Sequence, residues 1–333
     1  MPHNTALINT ASLLNANDSN FGILALSVFR HQYNHNLIYR QYCDAMKVEV
    51  EKVNEIQKIP FLPIAFFKSH VVLCAPYTPD NTTLVFESSG TTGENNSKHY
   101  IADRSLYLQS LMAGFSQYYG SPAQYSILAL LPSYLERKNA SLVYMAKELM
   151  SASGNKNNGF FINEWDLLSS RLKSLQAAGV KTLLLGVTFA LLDFAEAYPM
   201  ALKNTIVMET GGMKGRKKEM TRQEVHDFLK QQWNIDNIHS EYGMTELLSQ
   251  AYAVRDGIYT SSATMKVLVR EMNDPLEVTD TGNGLLNVID LANVHSCSFI
   301  ATDDIATIHK DGTFEILGRA DHTALRGCSL MAV

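Results

Sequence analysis

In the stretch LVFESSGTTGENNSKHY (residues 84–100), an apolar run ends in Ser88, Ser89, Gly90, Thr91, Thr92 and Gly93, and the first lysine after them is Lys98. Small residues let backbone N–H groups approach phosphate oxygens, hydroxyls add donors, and a lysine brings positive charge to a polyphosphate. The spacing is not that of a Walker loop, because Gly90 and Gly93 are three apart and no Gly-Lys-Ser/Thr follows. Taken alone, such a stretch is more often an ordinary connection than a phosphate cradle. Three more segments carry complementary chemistry. METGGMKG (208–215) places Gly211 and Gly212 directly after an apolar run, where a bare Gly-Gly otherwise marks a turn. IHSEYGMTE (238–246) delivers Glu241, Tyr242, Gly243, Met244, Thr245 and Glu246 together. There an aromatic face can stack on a base, a hydroxyl can bind phosphate, and a carboxylate can hold a magnesium ion. FIATDDIATIHKDGTFEILGRADH (299–322) sets Asp303 and Asp304 ahead of Arg319 and Asp321. A carboxylate can accept both hydroxyls of a ribose while a guanidinium contacts sugar or phosphate. The alternative for this last segment is a β-turn at Asp311-Gly312 with solvated charges.

The elements that must position these residues follow from hydrophobic period. From residue 84 the chain alternates apolar strand, polar loop and amphipathic helix. Strands are predicted in LVFES, YSILALLP, GFFI, KTLLLGV and NTIVMETGG, and helices over 103–119, 138–151, 164–178, 188–197 and 221–232. Such alternation implies an α/β fold with a mostly parallel sheet covered by helices on both faces. Ligands in such folds sit beyond the carboxyl ends of the strands, which is where the polar segments fall. Residues 20–58 read as helical, FGILALSVFRHQYNHNLIYRQYC being followed by a short second helix in VEVEKVNEIQ. IPFLPIAFFKSH then breaks helix at Pro60 and Pro63 while staying aromatic. After residue 250, TMKVLVREM, GLLNVIDL, CSFIATDDIATI and TFEILG read as short strands of a smaller antiparallel β subdomain. The expected organisation is an N-terminal helical region packed on the core (1–75), an α/β core (76–250) and a β-rich subdomain (251–333).

Composition narrows the function classes. The 333-residue chain is 46% hydrophobic and 18% charged, with a net charge of −5. Its one dense basic run, MKGRKKEMTR (213–222), is too narrow for the wide cationic face that counterion release from nucleic acid requires. That run could guide ATP or a carboxylate, or simply open a solvated helix. Cys43, Cys74, Cys297 and Cys328 stand far apart with no C-x-x-C pair, so neither a zinc knuckle nor a disulfide framework is indicated, which suits a reducing cytoplasm. His31 and His35 lie one helical turn apart without a third ligand. No signal peptide, membrane span, G-x-S-x-G elbow or H-E-x-x-H is present, which sets aside serine hydrolases and zinc proteases and predicts a cytoplasmic protein.

Read in order, SSGTTG, YGMTE, TDD and GRAD resemble the core motifs of the adenylate-forming superfamily, which includes acyl-CoA synthetases, luciferase and peptide-synthetase adenylation domains; the similarity runs from about residue 84 to 328. Within it, IPFLPIAFFKSH, the late basic residue with HY, TGG and RGCSLM are most similar to the acyl-protein synthetase component of bacterial fatty-acid reductase, the LuxE-type branch, with phenylacetate-CoA ligases more distant. The common superfamily loop has its lysine two residues after the last glycine, whereas here Glu94, Asn95, Asn96 and Ser97 intervene before Lys98.

The resemblance implies the large N-terminal domain of an adenylating enzyme. Residues 88–93 would wrap the ATP phosphates, with Lys98 their least secure ligand, and Gly211 and Gly212 would lie beside the adenine within an ATP site that also takes in Glu241, Gly243 and Met244. Tyr242 would stack on the base, Thr245 would touch the α-phosphate, Glu246 would bind magnesium, and Asp304 would take the ribose hydroxyls with Arg319 nearby. The expected activity is ATP-dependent conversion of a carboxylic acid, a fatty acid first, to an acyl adenylate and then to a thioester. The sequence given runs to Val333, twelve residues past Asp321, so the expectation set against the resemblance is that the mobile C-terminal domain of most superfamily members, with its lysine, is absent. Cys328, five residues before the end, fits the acyl-carrying cysteine of the LuxE-type branch, with Arg326 placed to lower its pKa; otherwise it is an inert small residue. Coenzyme A is the alternative acceptor. The rival reading from another class is a non-catalytic nucleotide-binding subunit working through an acyl-CoA reductase or acyltransferase partner.

Overall fold

A computed structural model of the chain describes residues 8–88, 96–131, 139–211, 220–272 and 274–320. A seven-stranded sheet runs in the order Thr260–Ser261, Ala251–Ala253, His239–Tyr242, Thr205–Thr210, Thr182–Val187, Ser126–Leu130, Gly159–Phe161. The five strands from Gly159–Phe161 to His239–Tyr242 are parallel, and the other two turn antiparallel. Ser126–Leu130 and Thr182–Val187 are buried along their whole length, which is why they read as unbroken apolar runs rather than as alternating ones. The helices Arg104–Tyr119, Ser141–Ser153, Trp165–Ala177, Thr188–Ala197 and Arg222–Trp233 share one apolar cluster with this sheet. The last of them starts where Thr221 and Glu224 form a reciprocal capping box, so the basic run passes into helix at a defined residue.

The second sheet joins Leu62–Pro63, Phe299–Ile308, Gly282–Asp290, Met265–Arg270 and Val278–Thr279 in that order, with Phe314–Arg319 also paired to Phe299–Ile308. All its pairings are antiparallel except that of Leu62–Pro63, which runs parallel to Phe299–Ile308. A second apolar cluster unites this sheet with the N-terminal helices Phe21–His35 and Leu37–Ala45, where Phe29 and Tyr39 meet Phe299 at ring-centroid distances of 6.2 and 5.9 Å. The segment 242–253 is the seam. Tyr242, Leu247, Ala251 and Ala253 belong to the second cluster, while Leu248 and Tyr252 belong to the first.

Three local expectations are corrected. LVFES does not open the parallel sheet. Leu84–Glu87 pairs only with Lys98–Ile101, antiparallel, so the Ser/Gly/Thr stretch connects a hairpin rather than a strand to a helix. The N-terminal helical run breaks at Asn36, whose buried side chain caps the second helix by accepting from Tyr39 N (3.0 Å) and donates to Ser296 O (2.8 Å). A competing hydrogen bond to the backbone outweighs helical period there. VEVEKVNEIQ forms two 3-10 turns, Val50–Lys52 and Ile56–Lys58, in place of a helix.

Candidate functional site

A cavity of about 970 Å³ opens where the two sheets meet, beyond the carboxyl ends of the parallel strands. Ser88, Gly211, Glu241, Tyr242, Gly243, Met244, Thr245, Glu246, Asp304 and Arg319 all line it. Four segments far apart in sequence thus reach one wall. Ser89 to Gly93, Gly212 and Cys328 lie outside the described residues. Lys98 is the exception among the rest: it sits half-exposed on the hairpin, 3.9 Å from Glu87 Oε1, and does not line the cavity.

The hairpin holds the start of the Ser/Gly/Thr stretch, because Ser88 Oγ accepts from Ser97 N (2.9 Å) and Ser88 N donates to Ser97 O (3.1 Å). Gly211, in the left-handed region at φ +72°, turns the chain as it leaves its strand, a conformation that other residues adopt only with strain.

Asp304 owes its aim to a bulge. Between Gly282–Asp290 and Phe299–Ile308, two steps on one strand (Leu285 to Asn287) answer four on the other (Ile305 to Ala301), so Thr302, Asp303 and Asp304 swell out of the ladder. The buried Arg270 guanidinium fills the gap, donating to Leu286 O (3.2 Å), Asn287 Oδ1 (2.7 Å) and Thr302 O (2.6 Å). Asp304 Oδ2 then accepts from the Tyr242 hydroxyl at 2.8 Å, and its Oδ1 lies 3.8 Å from Arg319 Nε on the neighbouring strand. Burial raises the Asp304 carboxyl above its usual range, against the opposing pull of Tyr242 and Arg319. The Tyr242 ring is wedged edge-on against Tyr259 and Phe314, at centroid distances of 6.0 and 5.9 Å. The tilt of the Tyr242 ring is therefore fixed by its neighbours.

Two carboxylates that sequence reasoning did not pair stand at the ends of adjacent parallel strands. Glu209 Oε2 accepts from Thr188 (2.7 Å), and its Oε1 lies 3.8 Å from His226 Nε2 and 4.0 Å from Arg222 Nε. Burial works against its ionisation, but His226, Arg222, Thr188 and Ser240 outweigh it and hold the carboxyl below its ordinary value. Glu241 Oε2 accepts from Thr210 at 2.6 Å, and burial, with the charge of Glu209 adding to it, pushes its carboxyl up to about 7. Gly243 makes room for it, since a Cβ there would stand 2.4 Å from Glu241 Oε1.

Glu246 is buried in the wall, and burial raises its carboxyl despite Ser97, Arg319 and Lys68 nearby. Among the described residues no cluster of three His, Cys, Asp or Glu side chains could cage a metal. A single carboxylate on a cavity shared with hydroxyl and cationic side chains suits magnesium, which keeps waters and takes its remaining ligands from phosphates. Lys68 was also missed. It lines the cavity from the one-turn helix Phe66–Ser69, delivered there because Leu62–Pro63 adds to the second sheet. The three described cysteines are buried and free, and burial pushes the thiols of Cys43 and Cys74 up to about 12, which makes them poor nucleophiles. No helix among the described residues is long and apolar enough to cross a membrane.

Comparison with known proteins agrees with this geometry. Two solved structures share the fold. ATP-bound MatB from Rhodopseudomonas palustris matches with a TM-score of 0.54 at 16% identity, over 74% of this chain and 50% of its own. A 2-hydroxyisobutyryl-CoA ligase in its postadenylation state matches with a TM-score of 0.67 at 10% identity, over 91% of this chain and 68% of its own. The fold is that of the N-terminal part of adenylate-forming enzymes, and the chain spans about half the length of MatB. Two proteins named long-chain-fatty-acid–luciferin-component ligase are similar in sequence. The one from Photorhabdus luminescens is 40% identical over 70 residues, 21% of this chain and 58% of that protein. The one from Vibrio harveyi is 22% identical over 92% of this chain and 85% of its own. A family model described as "Acyl-protein synthetase, LuxE" matches residues 16–332. With nearly the whole chain inside that match, the chain belongs to the LuxE acyl-protein synthetase family.

Proposed function

We propose that the chain activates a carboxylic acid, a long-chain fatty acid first, with ATP and passes the acyl group to a thiol. The observation that carries this reading is the convergence of Ser88, Gly211, Tyr242, Thr245, Glu246, Asp304 and Arg319 on one cavity. In the first step a carboxylate oxygen attacks the α-phosphorus in line and pyrophosphate leaves, giving the acyl adenylate. In the second a thiolate attacks the acyl carbon and AMP leaves. The transferred phosphorus needs little covalent help, so positioning and charge neutralisation supply most of the acceleration.

Each lining residue has a part in that work. Tyr242 offers its ring to the adenine, and Asp304, already tied to Tyr242 and Arg319, faces the ribose hydroxyls. Thr245 donates toward the α-phosphate, while Lys68 and Arg319 bring positive charge to the same wall. Glu246 is the residue that would hold magnesium, which when bound neutralises phosphate charge. Apolar side chains such as Leu142, Met145 and Val225 offer a surface to an acyl chain. The acyl acceptor is a cysteine, with Cys328 first, or coenzyme A; an acyl-CoA reductase or acyltransferase is the fitting downstream partner.

The test uses the full chain with ATP, magnesium and acids of graded chain length. Pyrophosphate release dependent on the acid supports the reading, and none with any acid, alone or with candidate partners, refutes it. Intact mass then separates the acceptors. A gain equal to the acyl group that disappears in Cys328→Ser assigns the protein thiol. Unchanged mass with acyl-CoA formed assigns coenzyme A.

A further inference from the structure

The backbone that carries Thr245 and Glu246 belongs to no helix or strand: it lies between His239–Tyr242 and Ala251–Ala253. Apart from a turn hydrogen bond from Leu247 N to Met244 O (3.2 Å), its carbonyls and N–H groups have no ladder, and side chains take that role. Three of these come from outside the segment. His99 Nδ1 lies 2.9 Å from Thr245 O, and Asn293 Nδ2 donates to the next carbonyl, Glu246 O, at 2.8 Å. Asp290 Oδ2 accepts from Leu248 N (2.7 Å) and Ser249 N (3.0 Å), closing the far end. The two residues expected to meet the α-phosphate and the metal are thus gripped by consecutive carbonyls.

His99 is wholly buried, and its ring is fixed edge-on by Phe67, 5.4 Å away, the neighbour of Lys68. Only an N–H can serve a carbonyl, so the proton sits on Nδ1. Burial lowers the imidazole to about 4 against the pull of Thr245 and Asn293, leaving it neutral near pH 7. The residue also belongs to the strand Lys98–Ile101, which begins five residues after Gly93 and pairs back onto Leu84–Glu87 through Phe86. One side chain therefore ties the strand pair Leu84–Glu87 and Lys98–Ile101 to the segment that carries Thr245 and Glu246.

We propose that His99 is a positioning residue of the adenylation site: its Nδ1–H holds the Thr245 carbonyl and, together with Asn293 on the Glu246 carbonyl, sets the Thr245 hydroxyl and Glu246 carboxylate relative to the ATP-binding hairpin. This rests on the reading under Proposed function. A residue that only filled space would be replaced by an apolar side chain of similar size, whereas one that orients a carbonyl requires a donor at the Nδ1 position. Asn supplies such a donor and Leu does not.

The experiment compares the full-length chain with His99→Leu, His99→Asn and Asn293→Leu in two measurements. The first is protection against thermal unfolding by ATP, with and without magnesium, which does not depend on turnover. His99→Leu and Asn293→Leu should keep the protection by ATP alone and lose most of the further shift that magnesium adds, and His99→Asn should restore it. The second is acid-dependent pyrophosphate release, where His99→Leu should lower kcat about ten- to hundredfold with the KM for the acid little changed, again with recovery in His99→Asn. A wild-type magnesium increment retained in His99→Leu overturns the proposal, as does equal loss in His99→Leu and His99→Asn. If the wild-type chain releases no pyrophosphate, the catalytic reading fails while the protection series still decides whether His99 sets the metal-binding geometry.

Discussion

Replacing Glu241 by Gln should make the protein more stable at alkaline pH and leave it nearly unchanged at acidic pH. Glu241 is buried, with its carboxyl pushed from the ordinary 4.5 up to about 7. A carboxyl raised in the folded state contributes stability that is intact below the unfolded value and is lost as pH climbs through the folded one. The loss therefore spans roughly pH 4.5 to 7 for this group. Integrating that linkage from 4.5 and about 7 gives about 2.5 kcal/mol lost by the wild type between pH 5 and pH 8. Gln keeps an oxygen to accept from Thr210, at 2.6 Å in the wild type, and does not ionise. Urea unfolding of both proteins at pH 5, 6, 7 and 8 should show their stability difference widening in favour of Gln across that range. Parallel curves would refute the assignment of a buried proton to Glu241. The converse applies to Glu209, whose carboxyl is held low by its His226, Arg222 and Thr188 contacts against burial. It contributes stability above its unfolded pKa, lost as pH falls, so Glu209→Gln should cost stability at neutral pH rather than add it.

Three further outcomes follow from the same wall. Tyr242→Phe keeps the ring and removes the hydroxyl that Asp304 accepts from at 2.8 Å, so unfolding should cost about 1–2 kcal/mol less and the KM for ATP should rise more than kcat falls. Arg270→Ala strips the bulge of its donors to Leu286, Asn287 and Thr302 and should cost ~3 kcal/mol in denaturant unfolding, with nucleotide binding weakened because Asp304 loses its aim. Lys68→Met should depress pyrophosphate release at least tenfold, as expected for a cation beside transferring phosphates, while Lys98→Met should change it little, since Lys98 stands off the cavity.

Much of the α/β half was legible because burial on both faces forces continuous apolar strands, and the helices between them carry their own caps, such as Asp103 before Arg104 and Thr221 before Arg222. The hairpin was not, because Leu84–Glu87 looks the same whether its partner is a parallel neighbour or the chain returning after the loop. Tyr242, Thr245, Glu246, Asp304 and Arg319 were singled out by residue type and order, and all five line one cavity. Lys68 and His99 were passed over for a physical reason. Nothing local marks a lysine in a one-turn helix or a histidine in an edge strand, and their roles arise from the pairing of Leu62 with Ile300 and the approach of His99 to Thr245, 146 residues away. The coupling of Glu209 to Glu241 was hidden likewise, since only the register of two parallel strands, with Glu209 beside Ser240 and Thr210 beside Glu241, brings their charges within reach.

The seam at 242–253 has a mechanical consequence. Rotating one half of the chain against the other would drag Leu248 and Tyr252 from one apolar cluster, or Leu247, Ala251 and Ala253 from the other. A segment whose alternate side chains are sunk in two cores couples them, so the two halves are expected to unfold together in a single denaturant transition.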